Sequence, residues 1–359
     1  MRDRSSAQVA MTSVLVAVVL AAVAVGAQNR SAGPKATTKT YKVPRTPNGH
    51  PDLQGFWTNA TFTPLERPAG VTKAFYTEEE AARLERREAA GLGKGDEAPA
   101  TPGEWLAAGP DALPRPGTIA DVHYDFSQFG LDKSQSPIGR TLRTSLIVDP
   151  ADGKIPPLSP EGAQRAARRA KERERLGGRW DSAQSNELDD RCIIMGAGPP
   201  MLPQAYNSNY QIVQSADHVM ILVEMAHDAR VIPLDGRPQV SKNIRQWTGS
   251  SRGRWEGDTL VVETTHFTDK TGFRGSGENL RVVERFTRVA EDAIVYRFTL
   301  DDPTTWTAPW TAEIPMTKHV GPLFEFACHE GNYGLYNSLN GARLAERKAA
   351  EEAAKKQRN

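Results

Sequence analysis

The sequence predicts a mainly β fold: an antiparallel up-and-down barrel with an N-terminal extension and a few peripheral helices. Three observations predict it. Between residues 211 and 332, short apolar-alternating runs follow one another, the half-buried strand signature. Gly257-Asp258 and Glu291-Asp292 each divide two such runs by two residues, the loop length of a tight β-hairpin. Finally, a train of hairpins must close on itself or pack on a second sheet, so a two-sheet sandwich is the rival architecture. Either arrangement creates an interior where a ligand can sit.

In chain order, the first element is a signal peptide over residues 1–27. Arg2 and Arg4 precede an apolar run over 11–25, and Val25-Gly26-Ala27 supplies the small residues that cleavage before Gln28 needs. An uncleaved anchor is the alternative, although the run is short for a ~20-residue span. Export to the periplasm or beyond follows, with no membrane association after cleavage. Residues 28–46 read as a polar linker, 47–337 as a single β-rich domain with helical insertions, and 338–359 as a charged C-terminal helix or tail.

Within the domain, Thr77-Glu-Glu-Glu80 is a capping box that opens a helix stopped by Gly91 and Gly93. The Gly-, Pro- and Ala-rich segment 91–116 reads as a loop. Residues 143–148 make a strand ended by the turn cluster that starts at Asp149. Ser159-Pro160 caps an Arg-rich helix over 161–176, which has almost no apolar stripe and so reads as solvated. The meander is expected as strands 211–214, 219–224, 227–232, 252–255, 259–267, 280–289, 293–300, 311–316 and 323–328.

Lys plus Arg total 45 against 44 for Asp plus Glu, so charge gives no general reason to bind nucleic acid or anionic lipid. A small organic molecule is the expected partner. The two cysteines, Cys192 and Cys328, are expected to pair in an oxidising compartment, where so long a loop corresponds to roughly 4–5 kcal/mol in the chain-entropy model. A reactive thiol beside His329 is the alternative.

Side chains alternate across a strand, so counting by two assigns faces. Leu280, Val282, Glu284 and Phe286 share one face, and Ile294, Tyr296, Phe298 and Leu300 share another. The same count sends His266 inward with Leu260, Val262 and Thr264, and His227 inward with Val219, Val223 and Met225. It leaves Glu224, Asp228 and Arg230 on the opposite face. The expected inward polar set is therefore His227, His266, Glu284 and Tyr296, among apolar neighbours that shift carboxyl and imidazole groups toward neutrality. Glu284 would be a base, His227 or His266 an acid, and Tyr296 an oxyanion donor in cofactor-free isomerisation, dehydration or elimination. Phe298, Trp306 and Trp310 would wall a cavity for a ring-bearing compound. Arg252 and Arg254 can take a carboxylate or simply pair and stack on the sheet surface. His227, His266 and Glu284 lack the spacing of a metal motif, and no cofactor motif is present. The competing reading is a non-catalytic binding or interaction module whose interior is filled by its own side chains.

Gly55-Phe-Trp57 resembles the opening strand of calycin barrels. Together with Ile232-Pro-Leu-Asp-Gly-Arg237, Ser251-Arg-Gly-Arg-Trp-Glu-Gly-Asp-Thr-Leu-Val-Val-Glu-Thr264, Glu284-Arg-Phe-Thr-Arg288 and Cys328-His-Glu-Gly-Asn332, the segment Pro51-Asp-Leu-Gln-Gly-Phe-Trp57 also resembles a group of secreted bacterial proteins. That resemblance spans about residues 47 to 345. It implies a secreted, single-unit protein and carries no catalytic residues with it.

Overall fold

β-Branched and aromatic residues at every second position form the staves of a nearly closed antiparallel barrel. The computed structural model describes residues 41–89, 139, 141–176, 178, 180–194, 198–204, 207–271 and 273–358. The expected signal peptide over 1–27, linker residues 28–40 and the 91–116 loop lie outside the described residues. In chain order the elements are β1 (Gly55–Thr58), α1 (Glu78–Ala89), β2 (Ile147–Asp149), α2 (Pro160–Arg175), β3 (Asn209–Gln214), β4 (His218–Val223), β5 (Ala229–Pro233) and β6 (Ser250–Glu256). There follow β7 (Thr259–Thr265), β8 (Arg281–Ala290), β9 (Ala293–Asp301), β10 (Trp310–Lys318), the single turn α3 (Cys328–Gly331) and α4 (Tyr333–Arg358).

The sheet order is β5-β4-β3-β1-β10-β9-β8-β7-β6, with β2 added to β10. β1 pairs with the last residues of β10 and β2 with Thr311 and Ala312 of the same strand. Pro315, which has no N–H to give a ladder, falls between these two partners. Nine antiparallel staves cannot alternate around a ring, so β5 and β6 run the same way where they meet, without a registered ladder. Gly253 allows the approach: a Cβ there would stand 2.6 Å from Leu234 Cδ2 and 2.9 Å from Ile232 Cγ2.

Inward residues form one continuous core. It takes Trp57 from β1, Tyr210 and Ile212 from β3, Val219, Ile221 and Val223 from β4, and Ile232 from β5. Leu260 and Val262 of β7, Phe286 of β8, Tyr296 and Phe298 of β9, and Trp310, Ala312, Ile314 and Met316 of β10 complete the ring. At one end Arg288 closes the interior, its guanidinium over the Trp57 ring and bonded to the carbonyls of Asp52 (2.8 Å) and Glu291 (2.6 Å). Outside, His50 stacks on Trp255, with ring centroids 5.1 Å apart, and Arg45 pairs with Asp258 at the β6–β7 turn.

The capping box closes reciprocally: Thr77 N donates to Glu80 Oε2 (2.8 Å) and Glu80 N to Thr77 Oγ1 (3.2 Å). Ser159 Oγ accepts from Gly162 N at 3.0 Å, as an N-cap should. The Arg-rich helix it opens is less solvated than expected. Arg165 and Arg169 reach the carbonyl of Gly275 at 3.3 and 3.1 Å, and Arg169 also reaches that of Ser276, so two of its basic residues anchor it over the loop before β8.

Several boundaries move. Residues 323–328 are not a strand: Phe324 N donates to the buried Glu224 carboxylate (3.1 Å) instead of a ladder, and the chain turns into α3. Cys192 and Cys328 are joined by a disulfide, with Cα atoms 5.8 Å apart, which ties the segment before β3 to that turn. The C-terminal helix starts at Tyr333, earlier than 338. No helix of the described residues is long and apolar enough to cross a membrane.

Candidate functional site

Among the described residues, Glu284 belongs to a charged pair that crosses the barrel interior between two strands that do not pair with each other. Its position on β8, between buried Val282 and Phe286, leaves it 0 % exposed. Arg230 reaches it from β5, Nη1 donating to Oε2 (2.9 Å) and Nη2 to Oε1 (3.0 Å), a bidentate fork. Such a fork supplies the opposite charge that a carboxylate removed from water requires. A guanidinium carries five N–H donors, so about three of those on Arg230 are not engaged by Glu284. Its side chain stays 11 % exposed, whereas that of Glu284 is sealed.

The pair extends into a polar network. Tyr296 Oη donates to Glu284 Oε1 at 2.8 Å and accepts from Met201 N at 3.0 Å. Asn59 Nδ2 donates to the Met201 carbonyl (3.0 Å) and to Tyr210 Oη (3.2 Å). Met201 is fully buried and is thus gripped at both its N–H and its C=O by side chains of the barrel. Asn59 Oδ1 is buried and has no partner among the described residues. Burial, and next the Glu284 carboxylate, hold the Tyr296 phenol well above its ordinary pKa, so it stays a donor. Burial likewise raises Tyr210.

The network lies where β1 and β4 finish and β3 and β5 begin. Behind it runs a ladder of aromatic rings: Phe286 to Tyr296 (4.8 Å), Tyr296 to Phe298 (5.7 Å), Phe298 to Trp310 (5.9 Å) and Trp310 to Trp306 (5.8 Å). Phe298, Trp306 and Trp310 are therefore interior, packed on one another as core.

Glu284 and Tyr296 are together, as counting by two places them; His227 and His266 are not with them. His227 is exposed on the turn between β4 and β5, where Ala226 and His227 both have positive φ (61° and 54°). Those two residues reset the alternation, so β5 begins in a new register. His266 also has positive φ (61°), which turns the half-buried imidazole onto Thr265 Oγ1 (2.7 Å) and sends Phe267 into the core in its place. Gln246 holds that break, its N donating to the His266 carbonyl and its carbonyl accepting from Thr268 N, both at 3.0 Å.

Arg230 is the residue that counting through the turn assigns to the wrong face. Counting back by two from Ile232, the large apolar residue of β5, is the signal that finds it. Glu224, also assigned outward, is 1 % exposed and accepts from Asn209 Nδ2 (2.5 Å) and Phe324 N. Arg252 gives its donors to the Pro238 and Ser251 carbonyls and to Ser250, and exposed Arg254 pairs with Glu256 (2.6 Å), so both lie on the sheet surface. Among the described residues no three His, Cys, Asp or Glu side chains gather as metal ligands.

Fold and site together define a nearly closed β-barrel with a buried ionic and phenolic network at one end. Comparison of the chain with family models, with curated proteins and with solved structures finds no match.

Proposed function

We propose that this chain is an exported protein that binds a small ring-bearing organic molecule at the Arg230 end of its barrel. The observation that carries the reading is the seat around Met201. Tyr296 and Asn59 hold an N–H and a C=O there, and Asn59 Oδ1 has no partner among the described residues. Side chains that grip a main-chain residue in this way can grip a ligand with the same donor and acceptor pattern, a lactam or cyclic amide. The Tyr296 ring then offers an aromatic wall, and the unengaged donors of Arg230 a further polar contact. The segment carrying Met201 would move aside as the ligand enters. Binding fits better than proton transfer, because Glu284 already accepts from three donors. The Cys192–Cys328 disulfide supports an oxidising compartment.

Calorimetric titration of the full chain with a panel of cyclic amides, lactams and aromatic carboxamides tests the reading, alongside hydrogen exchange at Met201. Saturable binding that weakens about tenfold in Asn59→Ala and that changes exchange at Met201 is the expected result. Absence of binding across the panel, with Met201 protected throughout, overturns it.

A further inference from the structure

We propose a second site, on the outside of the barrel: a groove across β8, β9 and β10 that takes a small organic oxyanion between Arg285 and Arg297. The groove has a volume of about 270 Å³ and is lined by Arg285, Thr287, Val289, Val295, Arg297 and Glu313. All six are outward residues, alternating with the buried ones on the same strands.

The charges in this groove are arranged unlike those elsewhere on the sheet. Arg285 of β8 is directly opposite Arg297 of β9, and Arg297 is directly opposite Glu313 of β10. Like charges facing one another across strands destabilise a sheet unless a counter-charge joins them. Arg285 donates to Glu256 Oε2 (2.9 Å), a carboxylate it shares with Arg254. Glu313 turns away from Arg297 toward Arg143 (3.7 Å), whose guanidinium is over the Phe75 ring. Exposed Arg297 is left without a hydrogen bond or ion pair among the described residues, between a cation and a carboxylate committed elsewhere. Four arginines (143, 254, 285 and 297) face two glutamates (256 and 313), a local excess of two positive charges.

An oxyanion in the groove can accept from the unpaired Arg297 guanidinium and, once it swings back from Glu256, from that of Arg285. Val289 and Val295 add an apolar surface beside them. This combination selects an organic carboxylate or phosphate ester carrying a ring or short chain over bare inorganic phosphate. The site is exposed, so its affinity falls as salt screens the two arginines. It shares no residue with the Met201 seat, so either site can fail without the other.

Titration of the full chain with benzoate, phenyl phosphate and inorganic phosphate, at low and at physiological ionic strength, tests the assignment. Benzoate or phenyl phosphate should saturate one site at low salt and bind more tightly than inorganic phosphate. Arg297→Gln should weaken that binding about tenfold, while Arg237→Gln, away from the groove, leaves it unchanged. Because Arg297 is exposed and opposed by Arg285, its replacement should not lower the unfolding midpoint, so a loss of binding is not a loss of fold. No saturable binding at low salt, or binding indifferent to Arg297→Gln, overturns the proposal. Inorganic phosphate binding as tightly as both organic probes refutes its apolar half.

Discussion

Glu284 and Glu224 are both buried, 0 % and 1 % exposed, yet they are held in opposite ways. Glu284, in mid-strand on β8, has a full counter-charge in Arg230 and a phenol in Tyr296. Glu224, at the turn after β4, has among the described residues two neutral donors: an Asn209 amide and the Phe324 backbone N–H. The difference teaches what each carboxylate does. The first joins by charge two strands, β5 and β8, that do not pair with each other. The second works as a hydrogen-bonding clamp between β3, the β4–β5 turn and the segment leading to α3.

The contrast is broken most severely at Arg230. Arg230→Met leaves the Glu284 carboxylate buried with its charge uncompensated, which should cost about 3–5 kcal/mol in urea unfolding. Arg230→Met combined with Glu284→Leu should recover most of that loss, since an apolar pair can replace a buried ion pair with little penalty. A single-variant loss below about 1 kcal/mol would mean that water reaches Glu284 and that the pair is not sealed.

Tyr296→Phe comes next. It deletes the donor to Glu284 and leaves Met201 N without its acceptor, an expected cost of about 1–3 kcal/mol. The same residue gives the alkaline limit its shape. Tyr296 and Tyr210 are raised above the ordinary phenol range by burial, and Tyr76 is pushed up to about 12 by the same cause. A raised phenol pKa means that the unfolded chain loses its protons first as pH climbs. The stability they contribute is therefore complete below about pH 10 and falls progressively above it. Urea midpoints measured from pH 8 to 11 should drop beyond pH 10 in the wild type and drop less steeply in Tyr296→Phe. Equal slopes in the two proteins would show that Tyr296 ionises as freely in the fold as outside it.

The same two glutamates show how far the sequence could be read. Along β8 and β9 the alternation is unbroken through Leu280, Val282, Glu284 and Phe286 and through Ile294, Tyr296, Phe298 and Leu300, and all eight are buried. The two-residue turns at Gly257-Asp258 and Glu291-Asp292 are where their composition puts them. Face assignment failed at the β4–β5 turn and after β7, where Ala226, His227 and His266 take positive φ, because nothing in those side chains announces the conformation. The breaks in alternation at these two places hid Arg230 and promoted two histidines. The Met201 seat was illegible for another reason: its parts are main-chain groups and an Asn59 that lies 142 residues away in sequence.

Glu224→Gln is the mildest test and the one that separates the two carboxylates most cleanly. An amide oxygen can still accept from Phe324 N. Its new N–H₂ would face the Asn209 amide, and Asn209 Oδ1, which has no partner among the described residues, can receive it once that amide turns over. One atom of the Asn209 amide lacks a partner both before the change (Oδ1) and after it (Nδ2), and a buried charge without a cation disappears, so the unfolding free energy should change by less than about 1 kcal/mol in either direction. Glu284→Gln at the other site has no such escape, because it leaves the Arg230 guanidinium without its counter-charge and should cost several times more. Equal losses in the two Gln variants, measured under the same denaturant, would mean that Glu224 depends on its charge as Glu284 does, and that the two are held by the same kind of force.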